Sequence, residues 1–83
     1  MMTNKELQAF SLISDACDML ERRLMPAGKM QLACATVKFF CHNKSNELKN
    51  FLRRASHTEL DINLAQLAQN TLRTINALED GCN

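Results

Sequence analysis

The amino-acid sequence predicts an all-α fold, a small antiparallel bundle of three or four helices that we expect to be dimeric. Its 83 residues contain only two Gly and one Pro, so residues that break helices are rare. Most of the chain is built from Leu, Ala, Met, Gln, Lys and Glu, which favour helices. Apolar side chains recur every three or four residues, the spacing of an amphipathic helix. Residues 1–83 are therefore predicted to form a single helical domain.

The first helix is predicted over about residues 4–25. Thr3 and Glu6 have the spacing of a capping box, in which the threonine hydroxyl accepts a hydrogen bond from a free backbone amide. Pro26 ends the helix, because proline disfavours a helical conformation in the residue before it. The apolar stripe of this helix is Leu7, Phe10, Ile13, Cys17, Leu20 and Leu24.

The second and third helices are predicted at about 27–42 and 45–56. A single continuous helix is the alternative, because the apolar phase does not change between them. We expect a break, because the polar residues 42–46 have modest helix propensity and Ser45 can cap a new helix. The stripe of the second helix is Met30, Ala33, Cys34, Val37, Phe40 and Cys41, and the third continues it through Leu48, Phe51, Leu52 and Ala55.

The last helix is predicted at about 58–80. Two overlapping capping boxes, Ser56 with Glu59 and Thr58 with Asp61, indicate where it begins. Gly81 suits a left-handed cap at its end. Across the four helices, the core is expected to include Phe10, Ile13, Leu20, Val37, Phe40, Phe51, Leu64, Leu67 and Ile75.

The four cysteines, Cys17, Cys34, Cys41 and Cys82, are predicted to be free thiols, because a helical chain of this kind does not resemble a disulfide scaffold. All but Cys82 are expected to be buried as small apolar residues. No metal site is predicted, since no cysteine or histidine spacing resembles one. The first residues lack the apolar stretch of a signal peptide, and no segment could span a membrane, so we expect a cytoplasmic protein.

Catalysis is not expected. The sequence has two histidines, His42 and His57, and it lacks nucleophile, phosphate-loop and dinucleotide motifs. A bundle of this size also offers little room for a substrate pocket. We therefore assign no catalytic residue and no cofactor.

Apolar residues cover more of the first two helices than one stripe requires. Leu12 and Met19 form a second edge on the first helix, and Leu32 and Phe39 lie beside the main stripe of the second. An exposed apolar patch usually marks an interface, although a central helix also contacts neighbours on both sides. These four residues are the predicted partner-binding surface of a regulatory protein-binding module, an adaptor, chaperone-like protein or inhibitor, acting as a homodimer.

The charges are unevenly distributed along the chain. Residues 22–58 hold eight basic residues against Glu47 alone, a net charge of +7, and each flanking segment holds one basic and four acidic residues, a net charge of −3. Nucleic acid or an acidic protein is therefore the alternative partner. A pI near 7.7 and the lack of an aromatic residue on a polar face disfavour nucleic acid. The residues that would bind it are Lys38, Lys49, Arg53 and Arg54.

Overall fold

Four helices pack against one another in the computed structural model, which describes residues 3–58 and 61–80. In that part of the chain there is no strand, and no helix is long and apolar enough to cross a membrane. Helices α1 and α3 each contact both α2 and α4, so the four helices close into a ring measuring 36 × 23 × 18 Å. The helices are α1 (Asn4–Glu21), α2 (Pro26–His42), α3 (Asn46–Thr58) and α4 (Ile62–Glu79).

The start of α1 is the predicted capping box. The backbone N–H of Glu6 donates to the hydroxyl of Thr3 at 3.2 Å, and the backbone N–H of Thr3 donates to the Glu6 carboxylate at 3.5 Å. The helix ends at Glu21, earlier than the predicted residue 25. Residues 22–25 turn the chain, and Met25 is extended (φ −69°, ψ 162°), as expected before Pro26.

A break separates α2 from α3, as expected. Asn43 ends α2 in the left-handed conformation (φ 56°), which asparagine adopts more readily than most residues, and the N–H of Lys44 donates to the carbonyl of Lys38 at 2.9 Å. Helix α3 spans Asn46–Thr58 rather than 45–56. The hydroxyl of Ser45 donates to the carboxylate of Glu79, so it ties the α2–α3 connection to the end of α4.

The capping boxes predicted for the last helix are wrong. The hydroxyl of Ser56 donates to the carbonyl of Arg53, and that of Thr58 donates to the carbonyl of Arg54, so both residues belong to α3. Helix α4 begins at Ile62 instead of residue 58, because the Asp61 carboxylate caps it by accepting from the N–H of Asn63 at 2.9 Å. The predicted partner Glu59 and the predicted cap Gly81 lie outside the described residues.

The core contains most of the predicted residues but not those of α2. Ile13, Leu20, Phe51, Leu64 and Ile75 are buried, and Phe10 and Leu67 pack against them. The prediction is wrong for Val37 and Phe40, which are 51% and 38% exposed. The face of α2 that enters the core is made of Leu32, Ala35 and Phe39.

Candidate protein-binding surface

Helix α2 carries apolar residues on the side that faces away from the core. Successive residues of a helix are rotated by about 100°, which places these side chains roughly opposite Leu32 and Phe39. All of them are exposed, and Met30 retains 70% of its accessible surface. We call this set the outer face of α2; it consists of Ala27, Met30, Cys34, Val37 and Cys41.

The spacing along the outer face of α2 is that of a helix-pairing seam. Its members follow one another at steps of three, four, three and four residues, the repeat that lets two helices pack along a shared line. A helix that is apolar on both sides is normally buried on both sides. The outer face of α2 is therefore a surface of the isolated chain that another helix can cover.

A groove of about 950 Å³ runs between α2 and α3 and continues the outer face of α2. Met30 and Cys34 of the outer face line it together with the aromatic ring of Phe51. Basic residues of α3, Arg53 and Arg54, contribute its positive charge. The groove thus offers an apolar wall with two guanidinium groups beside it.

The four basic residues predicted to bind nucleic acid or an acidic partner fall into two pairs. Lys38 forms an ion pair with Glu47 at 2.6 Å, and its hydrogen bond to that carboxylate raises the pKa of Lys38. Arg53 donates a hydrogen bond to the side chain of Asn50 at 3.0 Å. Among residues 3–58 and 61–80, neither Arg53 nor Arg54 forms an ion pair.

The second lysine belongs to a network that joins α3 to α4. Lys49 forms an ion pair with Glu79 at 2.6 Å, and the same carboxylate accepts the hydroxyl of Ser45. The hydrogen bonds from Lys49 and then from Ser45 lower the pKa of Glu79 below its ordinary value. Both lysines of the predicted basic surface are thus engaged by carboxylates of the same chain.

The residues predicted to bind a protein partner are divided between surface and core. Leu12 and Met19 are exposed on α1, at 63% and 50%. The prediction is wrong for Leu32 and Phe39, which are buried and therefore not available to a partner. The exposed apolar surface of α2 lies instead on its opposite side. All of its residues except Ala27 belong to the stripe that was predicted to be buried.

Phenylalanine side chains show what holds α2 in this orientation. The ring of Phe39 packs between α1 and α2 and lies 5.8 Å from the ring of Phe10, measured between centroids. Phe40 lies at the exposed edge of the cluster, with its ring centroid 4.9 Å from that of Phe39 and 5.8 Å from that of Phe10. Aromatic pairs at these distances stabilise a contact beyond the area that they bury. Rotating Val37 inward would remove Phe39 from this cluster.

The cysteines differ in their surroundings. Cys17 of α1 is buried in the core, and this burial raises the pKa of its thiol to about 11. Cys34 and Cys41 are free and exposed on the outer face of α2, so the prediction that they are buried is wrong. Cys82 lies outside the described residues. The outer face of α2 thus includes two accessible thiols.

In residues 3–58 and 61–80, no three His, Cys, Asp or Glu side chains are grouped so that they could hold a metal ion. No family model matches the chain, and no curated protein or solved structure shows significant similarity to it.

Proposed function

We propose that this chain is a non-enzymatic, regulatory protein-binding module that pairs the outer face of α2 with a helix of its partner, and that it acts as a homodimer. The observation that carries this proposal is the exposure of an apolar seam with heptad spacing along one whole side of α2. Helices recognise apolar seams and grooves by placing side chains at the same intervals. A partner helix would lie along α2 and would extend into the groove beside α3.

The composition of the outer face supports binding rather than chemistry. Methionine adapts its shape to different contacts, and small residues such as Ala27 let two helix backbones approach closely. The described residues that line the groove beside this face include no histidine, and the carboxylate among them, Glu47, is already paired with Lys38. Covalent catalysis would require a nucleophile with a neighbouring free base, and the described residues of this groove do not supply that base.

Nucleic-acid binding is the weaker proposal. Contacts to phosphate depend on lysine and arginine side chains that can exchange their counterions for the nucleic acid. Lys38 and Lys49 already have carboxylate partners at 2.6 Å, which leaves Arg53 and Arg54 of the four predicted residues. Two guanidinium groups beside an apolar groove fit an acidic residue on a partner helix.

Photo-cross-linking in the cell that produces the protein tests the proposed function. Benzoylphenylalanine replaces Val37 on the outer face in one variant and Gln69, which is exposed on α4, in a matched variant. We expect a cross-linked product of defined mass from position 37 alone, with the partner's cross-linked peptide in a helix. Met30→Glu in the same chain should abolish this product, because it places a charge in the apolar seam.

Two results would contradict the proposed function. The first is the absence of any product from position 37. The second is the same set of products from positions 37 and 69, since a surface that pairs with a helix must be distinguishable from ordinary exposed surface. Circular dichroism checks that the bundle of each variant is intact. We expect an unchanged helical spectrum, because both positions are exposed in the native chain.

A further inference from the structure

We infer that the groove between α2 and α3 is a binding site for a medium-chain carboxylate, an unbranched apolar chain that ends in a carboxylate group. This inference goes beyond the proposed function, because it needs no second protein. Three properties of the groove support it. They are the apolar character of its walls, the placement of its positive charge at one end, and its dimensions.

The walls of the groove are mainly apolar. Helix α2 contributes Ala27, Met30, Cys34 and Ala35, and α3 contributes the ring of Phe51. Ala35 and Phe51 are buried in the bundle and form the base of the groove, whereas the other three side chains are exposed along its rim. The free energy falls when an apolar chain leaves water and packs against such side chains. The groove therefore favours a ligand with an apolar chain.

The positive charge of the groove lies at one end. Helix α3 begins beside the end of α2, where Glu47 pairs with Lys38. It then runs back along α2, so that Arg53 and Arg54 line the groove at the end where α2 begins. Among the described residues that line the groove, the carboxylate is that of Glu47, and Lys38 compensates its charge. A ligand in the groove thus meets net positive charge at its arginine end.

The two guanidinium groups at this end are suited to a carboxylate. Arginine has five N–H donors in a planar fork, and a carboxylate can accept two of them side by side. The hydrogen bond from Nη1 of Arg53 to Asn50, which also lines the groove, positions one of the two forks. In residues 3–58 and 61–80, neither Arg53 nor Arg54 forms an ion pair with a carboxylate of the chain. Their charge is therefore available to an anionic ligand.

The dimensions of the groove fit a chain of medium length. Its volume of about 950 Å³ is at the upper end of the range that small-ligand sites occupy. Along α2 the groove extends from Pro26 to Ala35, a span of about 13 Å at a rise of 1.5 Å per residue. Extended decanoate has a comparable length. Its carboxylate can meet the arginines while its methyl end lies against Cys34 and Ala35.

Isothermal titration calorimetry with decanoate, below its critical micelle concentration, tests the inference. Two matched ligands separate the contributions of chain and charge: acetate has the carboxylate without the chain, and decyltrimethylammonium has the chain with the opposite charge. Two matched variants locate the site. Arg54→Glu reverses a charge in the groove, and Arg73→Glu reverses a charge on the exposed surface of α4. Circular dichroism checks that each variant keeps its helical spectrum.

We expect decanoate to bind saturably, and we expect no saturable binding of acetate or decyltrimethylammonium. Arg54→Glu should weaken decanoate binding at least about tenfold, because it replaces attraction of the carboxylate with repulsion. Arg73→Glu should leave the affinity unchanged. Equal weakening in the two variants would overturn the inference, since binding would then depend on net charge alone. Equal binding of decanoate and decyltrimethylammonium would also overturn it, because adsorption of an apolar chain does not require an anion.

A third variant separates this inference from the proposed function. A partner helix on the outer face of α2 would cover Met30 and Cys34, which also line the groove. Val37→Glu places a charge on the outer face, and Val37 is not among the described residues that line the groove. Decanoate should bind this variant at least as tightly as the wild type. If it binds neither protein, the inference is wrong and the proposed function stands, because the cross-link from position 37 forms outside the groove.

Discussion

Helices α2 and α3 are neighbours in the ring, and α3 has a polar outer side whereas α2 does not. In α3, Leu48, Phe51 and Leu52 are buried, and the exposed positions include Arg53 and Arg54. In α2, large apolar residues are found both inside and outside the bundle. Water solvates the polar side chains on the exposed side of α3 favourably. It does not do so for the apolar exposed side of α2, because the free energy falls when apolar surface is removed from water.

This difference distinguishes the helix face that the fold buries from the apolar face that the fold leaves exposed. Each helix of the bundle contributes one apolar face to the core, and α3 has no second apolar face. Helix α2 supplies a second apolar face that the other three helices do not cover. The first face belongs to the fold, and we propose that the second belongs to an interface.

The largest expected effect separates the two faces of α2 by their contribution to stability. Leu32→Ala should lower the free energy of unfolding by about 2–5 kcal/mol, because it leaves a cavity in the core. Met30→Ala should change it by less than about 0.5 kcal/mol, because the side chain is exposed in the single chain. Urea denaturation of dilute protein measures both. Equal losses of unfolding free energy in the two variants would mean that the buried face of α2 has been assigned incorrectly.

Thiol labelling should distinguish the two environments of cysteine. Burial raises the pKa of Cys17 from 9.0 to about 11, so its thiolate fraction at pH 8 should be about a hundredfold lower in the folded protein than in the unfolded one. Iodoacetamide should thus modify Cys34 and Cys41 first and Cys17 after unfolding. Labelling of Cys34 should slow as protein concentration rises. A rate that is independent of concentration would indicate that the outer face of α2 remains open.

Salt dependence tests whether the basic side of α3 binds nucleic acid. With Lys38 and Lys49 held by carboxylates, at most Arg53 and Arg54 of the four predicted residues contact phosphate. The slope of log K against log salt on duplex DNA should then be no steeper than about −1.8, at about 0.9 per contact. A slope near −3.6, which corresponds to about four contacts, would show that phosphate contacts more basic residues than Arg53 and Arg54.

The smallest expected effect concerns the network around Glu79. At pH 7, Glu79→Gln should lower the free energy of unfolding by at most about 1 kcal/mol, because the ion pair with Lys49 is partly exposed. The folded-state pKa of Glu79 lies below its ordinary 4.5, so its stabilising effect is present above that pH. It should disappear as pH falls through the folded pKa. A wild-type advantage that persists at pH 2 would contradict this assignment.

The sequence predicted the fold well because most helices have contrasting faces. Ile13 and Leu20 of α1 and Leu64 and Ile75 of α4 lie on the predicted apolar stripes, and all four are buried. The capping box of Thr3 was also predicted correctly, because it depends on residues three positions apart. Interactions of this range can be identified from local sequence.

The face of α2 could not be predicted in the same way. Its two apolar stripes, one through Leu32 and Phe39 and the other through Met30 and Val37, both repeat with helical spacing, so periodicity alone does not decide which is buried. The deciding contact is the packing of Phe39 against Phe10 of α1, which is a tertiary interaction. For the same reason, the ion pair of Lys49 with Glu79, thirty residues apart, was missed.

The most direct test of the account is the mass of the purified protein in solution, measured by light scattering. The wild-type chain and Gln69→Glu should both have about twice the 9.4 kDa of one chain. Val37→Glu should have a mass of one chain and an unchanged helical spectrum, because it introduces a charge into the outer face of α2 while leaving the core intact. A single-chain mass for the wild type, or a dimer that survives Val37→Glu, would contradict the assignment of this face as the surface on which two copies meet.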